Sequence, residues 1–184
     1  YITSKRKIKS SDNIDYQTIF SKKDGSIAAP TAGLHFTDNL IDEITKKGVR
    51  FERITLNIGL GTFLPLRNDK VEDNSLHSEH CFIAESTVKK LNEAKKKKNQ
   101  RIISVGTTSL RSLETSFNGN EFVPVNSKTN KFIYPGIKIN SIDALITNFH
   151  LPKSSLFILI CALMGTKKML EAYNYAIKNN YRFY

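Results

Sequence analysis

Two histidines stand at the ends of apolar segments in this 184-residue chain, each beside a phenylalanine and near a turn-forming residue. His35 lies in Ala28-Ala29-Pro30-Thr31-Ala32-Gly33-Leu34-His35-Phe36-Thr37, and His150 in Ile146-Thr147-Asn148-Phe149-His150-Leu151-Pro152. An imidazole titrates near neutral pH, so either can shuttle a proton or hydrogen-bond a ligand. Satisfying a turn carbonyl is the structural alternative for His35. Asn148 precedes His150 by two residues and shares its direction if the strand continues that far. Its amide carries both donor and acceptor, which suits a base edge or a ribose hydroxyl, or a turn before Pro152.

A third segment of the same kind is Asn57-Ile58-Gly59-Leu60-Gly61-Thr62-Phe63. Gly59 and Gly61 let a ligand or another backbone come close, and turn geometry accounts for them equally well. Thr62 adds a hydroxyl and Phe63 a stacking face. For Phe36, Phe63 and Phe149, core packing competes with stacking on a ligand. Gly106-Thr107-Thr108-Ser109 follows a strand and opens a helix, so its N–H groups can meet an anion. Capping of that helix by Thr107 or Thr108 is the competing account. Arg111 and Glu114, three residues apart, share a face of the same helix. His77-Ser78-Glu79-His80-Cys81 is the one cluster with metal-ligand side chains, but its spacing fits no zinc template and no second cluster matches it. No metal is expected.

The elements that must hold these residues alternate. Residues 37–48 carry acidic side chains early, Lys46-Lys47 late and Gly48 at the end, the marks of a helix. Residues 49–58 alternate and are rich in β-branched types, predicting a strand. Helices are expected over 85–98, from the Gly-Thr-Thr-Ser turn to about Phe117, over 154–164 and over 168–178. Strands are expected over 101–105 and 142–147, and residues 118–131 read as a loop. Strands alternating with helices predict an α/β fold, largely a parallel sheet or barrel, with its loops gathered at one end.

Bulk composition bounds the rest. With 40% apolar and 24% charged residues the chain reads as one ordinary globular domain, residues 1–184. The longest apolar run, Leu156 to Met164, is about half of what crosses a bilayer. The chain opens on Tyr1-Ile2-Thr3-Ser4-Lys5-Arg6 without an apolar leader segment. Cys81 and Cys161 form no CxxC pair, and a reducing cytoplasm is the expected setting. The net charge of +11 invites a nucleic-acid reading. Lysines outnumber arginines 21 to 7, however, a bias that an A/T-rich genome produces without selection for binding. Lys95-Lys96-Lys97-Lys98 closes a helix, where cations suit the dipole.

The Pro/Gly–His–Phe block, the GlyLeuGlyThrPhe block, His77-Ser78-Glu79, the segment from Gly106 to Glu114 and the Asn148-Phe149-His150 block together resemble the S-adenosylmethionine:tRNA ribosyltransferase-isomerases of the queuosine pathway. Five blocks in the same order span most of the chain. The resemblance implies a barrel-like α/β fold and transfer of the ribosyl group of S-adenosylmethionine to 7-aminomethyl-7-deazaguanine at the tRNA wobble position. Rearrangement gives epoxyqueuosine, with adenine and methionine released. It implies no metal or redox cofactor, S-adenosylmethionine being the donor substrate. The substrate tRNA is the implied macromolecular partner, and a monomer is the default.

The resemblance also implies roles. His35, Glu79 and His150 become candidates for catalysis, with Glu79 as base or as counter-charge to the sulfonium. Gly33, Phe36, Gly59, Gly61, Thr62, Phe63, Thr107, Thr108, Asn148 and Phe149 become substrate-binding candidates. Arg111 is matched to a carboxylate or phosphate, Glu114 to ribose hydroxyls and Lys153 to the tRNA backbone. His80 departs from the family block, where an aromatic residue usually follows His-Ser-Glu. Family members carry a further N-terminal half with an inserted small β-barrel, so the chain is expected to correspond to their C-terminal half. Two other readings are an inactive tRNA-binding fragment of such an enzyme and an unrelated hydrolase, the latter lacking any nucleophile-elbow serine.

Overall fold

Among the described residues, five short strands and six α-helices are interspersed along the chain, and the strands build two small sheets rather than one. The structure, a computed structural model, describes residues 7–22, 25–59, 66 and 68–182. Gly61, Thr62 and Phe63, expected at a ligand-binding loop, lie outside the described residues. Strands are β1 (Thr55–Asn57), β2 (Glu79–Ile83), β3 (Ile103–Val105), β4 (Val125–Thr129) and β5 (Ala144–Ile146). Helices are α1 (Asp12–Asp15), α2 (Asp38–Lys46), α3 (Glu85–Lys96), α4 (Thr107–Ser116), α5 (Ser155–Met164) and α6 (Thr166–Lys178).

Local chemistry sets the helix ends. The Thr37 hydroxyl accepts from the Leu40 N–H at 3.2 Å to start α2, and the Ser154 hydroxyl accepts from the Phe157 N–H at 3.2 Å to start α5. Gly165, at φ +83°, ends α5 and opens α6 in a single residue, so the two helices fold back on each other. Their contact is aromatic: the Phe157 and Tyr173 rings lie 4.9 Å apart, edge to face.

The larger sheet has the order β1-β2-β4 and is antiparallel throughout. Along β2, Glu79, Cys81 and Ile83 are buried while His80 and Phe82 face outward, the period-two pattern of a strand with one covered face. The expected largely parallel sheet is therefore corrected: among the described residues only β3 and β5 pair in parallel. β4 replaces the middle of the loop expected over 118–131. It buries only its first and last residues, so Val-Asn-Ser-Lys-Thr shows no alternation to read. The strand expected over 49–58 shrinks to three residues.

Helix α4 joins the two sheets. It follows β3 directly, packs against β1, β2, β3 and β4, and buries Leu110, Arg111, Ser112, Leu113 and Glu114 in succession. A helix covered all round needs partners for its polar side chains. Glu114 finds them in the loop before β5, where its Oε1 accepts from the N–H groups of Asn140 at 3.0 Å and Ser141 at 2.9 Å. This is the physical setting of a residue that the family pattern offers to ribose hydroxyls; it lies outside the cleft described below.

Glu114→Ala strips two amides of their acceptor, one of them on buried Ser141, and is expected to cost about 2–3 kcal/mol of stability. Glu114→Gln keeps the oxygen and is expected to lose less. Urea unfolding of both variants checks this; equal stability of Glu114→Ala and the parent chain would contradict it.

Candidate functional site

Parallel pairing brings two strand ends to the same level. Val105 is registered with Ile146, and the Gly106 N–H donates to the Ile146 carbonyl at 2.8 Å, extending the ladder by one rung. The chain after β3 therefore turns into α4 beside the segment 147–150 that leaves β5. A cleft opens at this junction, the usual place for a ligand in a parallel α/β arrangement. Its enclosed volume is small, about 60 Å³, and the recess is open to solvent. Its walls are the segment 28–32, Gly106, Thr107, Thr108 and Arg111 of the α4 end, and Thr147, Asn148 and His150, with Tyr16, Ile58 and Leu156 completing it.

The α4 wall carries N–H donors of two kinds. Gly106 occupies the N-cap position at φ +88°, a conformation that suits glycine, and no side chain caps the helix. Thr107 and Thr108 are thus not caps, and the first-turn N–H groups of α4 have no partner from the helix itself. Arg111 lies one turn further along the same face. Its side chain is only 3% exposed, with Nη1 2.6 Å from Oε2 of Glu79 and Nε donating to the Lys131 carbonyl at 3.1 Å. Nη2 is buried and has no acceptor among the described residues. A buried guanidinium donor without a protein partner is rare, and a water or a ligand atom would satisfy it.

On the opposite wall the backbone N–H of His150 donates to the Tyr173 hydroxyl at 2.7 Å. Its ring Nε2 lies 3.1 Å from the Thr147 hydroxyl, while Nδ1 is buried without a partner. Burial lowers the His150 pKa to about 4, so the ring is neutral at pH 7. Asn148 Oδ1 accepts from the Thr31 hydroxyl at 3.1 Å, a contact between residues 117 positions apart that holds the 28–32 segment against the β5 end.

The structure therefore brings Thr107, Thr108, Arg111, Asn148 and His150 into one cleft. It places the other candidates elsewhere. Glu79 is buried behind this wall on β2, where its Oε1 also accepts from the Gly59 N–H at 3.1 Å. His35 is exposed at the end of the 3-10 turn Thr31–His35. Gly33 is buried in that turn, where a Cβ would stand 3.1 Å from the Phe20 ring and 3.3 Å from the Thr18 methyl. Phe36, half-buried, packs edge-on between Phe20 and Phe51, and Phe149 packs against Tyr173 and Tyr181. Lys153 is exposed in the turn before α5, at φ +59°.

Tyr16, Thr31 and Thr147 line the cleft without having stood out in the sequence. Thr31 and Thr147 belong to two of the blocks already singled out, whereas nothing around Tyr16 marks it. Cys81 lies beside Arg111 and Ser112; burial pushes its thiol pKa up against the opposing effect of both neighbours, which leaves it protonated. Among the described residues no group of three His, Cys, Asp or Glu could hold a metal ion, and no helix is long and apolar enough to cross a membrane.

Comparison with known proteins matches residues 1–184 to the model of a family described as "Queuosine biosynthesis protein". The S-adenosylmethionine:tRNA ribosyltransferase-isomerase of Zymomonas mobilis is 48% identical over 185 residues, covering 100% of this chain and 54% of that protein. The protein of the same name from Rickettsia bellii is 50% identical over 178 residues, covering 95% of this chain and 49% of its own length. The crystal structure of the S-adenosylmethionine tRNA ribosyltransferase of Thermotoga maritima superposes with a TM-score of 0.68 at 39% identity, covering 83% of this chain and 48% of that one. The chain spans about half the length of the curated relatives it matches. On these matches, and with a fold shared with a solved relative, the chain belongs to the queuosine biosynthesis protein family.

Proposed function

We propose that this chain takes part in transferring and isomerising the ribosyl group of S-adenosylmethionine onto 7-aminomethyl-7-deazaguanine at the tRNA wobble position, giving epoxyqueuosine with release of adenine and methionine. The observation that carries this reading is that the uncapped N-terminus of α4 and Arg111, whose buried Nη2 has no partner among the described residues, both belong to the lining of one cleft. Two donors of this kind suit the carboxylate of the methionine portion. Relatives named for the same reaction share about half of the residues of the chain.

The donor is a sulfonium cation with a carboxylate at one end and an adenosine at the other. A carboxylate anchored at Arg111 and the first turn of α4 places the rest of the molecule along the cleft towards Asn148 and His150. Asn148 offers its amide to ribose hydroxyls or to a base edge. His150, neutral and with Nδ1 unpartnered, contributes a hydrogen bond rather than a charge, which avoids repulsion of the sulfonium. The chemistry also requires removal of a proton beside the sulfonium. Of the three candidates for that step, His150 alone lines the cleft among the described residues. Its low pKa suits orientation of the ligand better than abstraction of the proton at neutral pH. Shelter from water follows from the buried position of Arg111 and His150. The reading uses no metal or redox cofactor.

The direct test incubates the chain with S-adenosylmethionine and tRNA bearing 7-aminomethyl-7-deazaguanine, followed by mass spectrometry of the digested nucleosides and a binding titration of the donor. Epoxyqueuosine with free adenine is expected, and absence of both product and donor binding would overturn the proposal.

Two further outcomes follow. The unfolded chain takes a proton on histidine near pH 6.5, whereas folded His150 resists it until about pH 4. The unfolded state thus binds more protons between these values. Its contribution to stability is full above about pH 6.5 and falls by about 3 kcal/mol as pH drops to 4. His150→Asn should flatten that part of the pH–stability curve, measured by thermal unfolding; an unchanged slope would show that the imidazole titrates normally. Lys153→Ala should weaken tRNA binding and reduce the log–log salt slope by roughly 1, leaving the donor's affinity unchanged. An unaltered slope in filter-binding titrations would place Lys153 off the tRNA backbone.

A further inference from the structure

We infer that Glu79 is a positioning residue, which holds the guanidinium of Arg111 so that Nη2 stays available to the carboxylate of the donor. The inference rests on the reading of the cleft proposed above and reassigns a residue that the family pattern offers as a base. A guanidinium is a planar fork whose orientation is fixed once two of its nitrogens are held. Here Nη1 is held by Glu79 Oε2 at 2.6 Å and Nε by the Lys131 carbonyl at 3.1 Å. These partners come from β2 and from the segment after β4, so two separate elements set the plane of the group. The third nitrogen, Nη2, is left with no acceptor among the described residues.

Glu79 is itself held. Its Oε1 accepts from the Gly59 N–H at 3.1 Å, and its side chain is 1% exposed. A general base must reach the proton it takes, and Arg111 lines the cleft whereas Glu79 does not. The two residues thus divide the work: the carboxylate fixes the guanidinium and neutralises its charge, and the guanidinium meets the ligand. No described heavy atom lies within 4 Å of where a Cβ on Gly59 would stand, so among the described residues its tie to Glu79 comes through its N–H.

The test compares two ligands on the same protein: S-adenosylmethionine and its decarboxylated analogue, which keeps the sulfonium, ribose and adenine. Both are titrated calorimetrically into the parent chain, Arg111→Met, Glu79→Gln and Glu79→Asp. The parent should prefer the carboxylated ligand by about tenfold or more, the worth of a charge-assisted hydrogen bond. Arg111→Met and Glu79→Gln should both abolish that preference with little change in affinity for the analogue. Glu79→Asp, which keeps the charge on a shorter stem, guards against a failure of Glu79→Gln to fold and should reduce the preference. A general loosening of the fold would weaken both ligands together and leave the ratio intact, which would overturn the positioning role. A parent without preference would instead overturn the carboxylate reading of the cleft. A preference lost in Arg111→Met and kept in both Glu79 variants would leave that reading standing and remove Glu79 from it.

Discussion

The buried contact between Arg111 and Glu79 ties the two halves of the fold together. Glu79 belongs to the central strand of the antiparallel sheet, and Arg111 to the helix that springs from the parallel pair. With the two side chains 3% and 1% exposed, neither charge can be left alone. Removing one partner of such a pair typically costs about 3–5 kcal/mol, because an uncompensated charge stays in the interior. The position of β2 relative to α4 is thereby set by an interaction that tolerates little displacement. Since α4 begins at Gly106, the same contact determines where the wall of the cleft stands.

The parallel pair supplies the complementary constraint. Two strands running the same way end together, so the residues that follow them must share a space. Gly106 makes the sharp exit into α4 at a φ of +88°, and its N–H continues the ladder to Ile146. A side chain there would meet backbone strain, though the nearest heavy atom to a Cβ is 3.9 Å away, so conformation rather than crowding calls for glycine. Across the gap the Thr31–Asn148 hydrogen bond draws in a segment from far earlier in the chain. Tyr173 of α6 supports His150 from behind. The cleft is thus assembled from distant parts of the sequence.

Much of this was legible in the residues. Helices α2 and α5 start within one residue of the ranges expected, 37–48 and 154–164, and the strand-end blocks at Gly106 and Asn148 converge on one cleft. What stayed hidden has physical causes. β4 buries only Val125 and Thr129, so an edge strand looks like a polar loop. Two three-residue strands carry too few positions to tell parallel from antiparallel pairing. Arg111 and Glu114 sit three apart on one helix, yet one turns to β2 and the other to the loop before β5, since a helix buried all round serves several neighbours. Gly33, which the family resemblance offers for substrate binding, is crowded by Phe20 and Thr18 from its own N-terminal side. Pairings 32 residues apart, such as Glu79 with Arg111, leave no local trace in a single sequence.

A structure of the chain determined with S-adenosylmethionine bound addresses the central claim, that an anionic group is held by Arg111 and the start of α4. The account predicts the methionine carboxylate within hydrogen-bond distance of Arg111 Nη2 and of the Thr107 or Thr108 N–H, with Glu79 still on Nη1. A carboxylate bound elsewhere, with Nη2 still unpartnered, would contradict it.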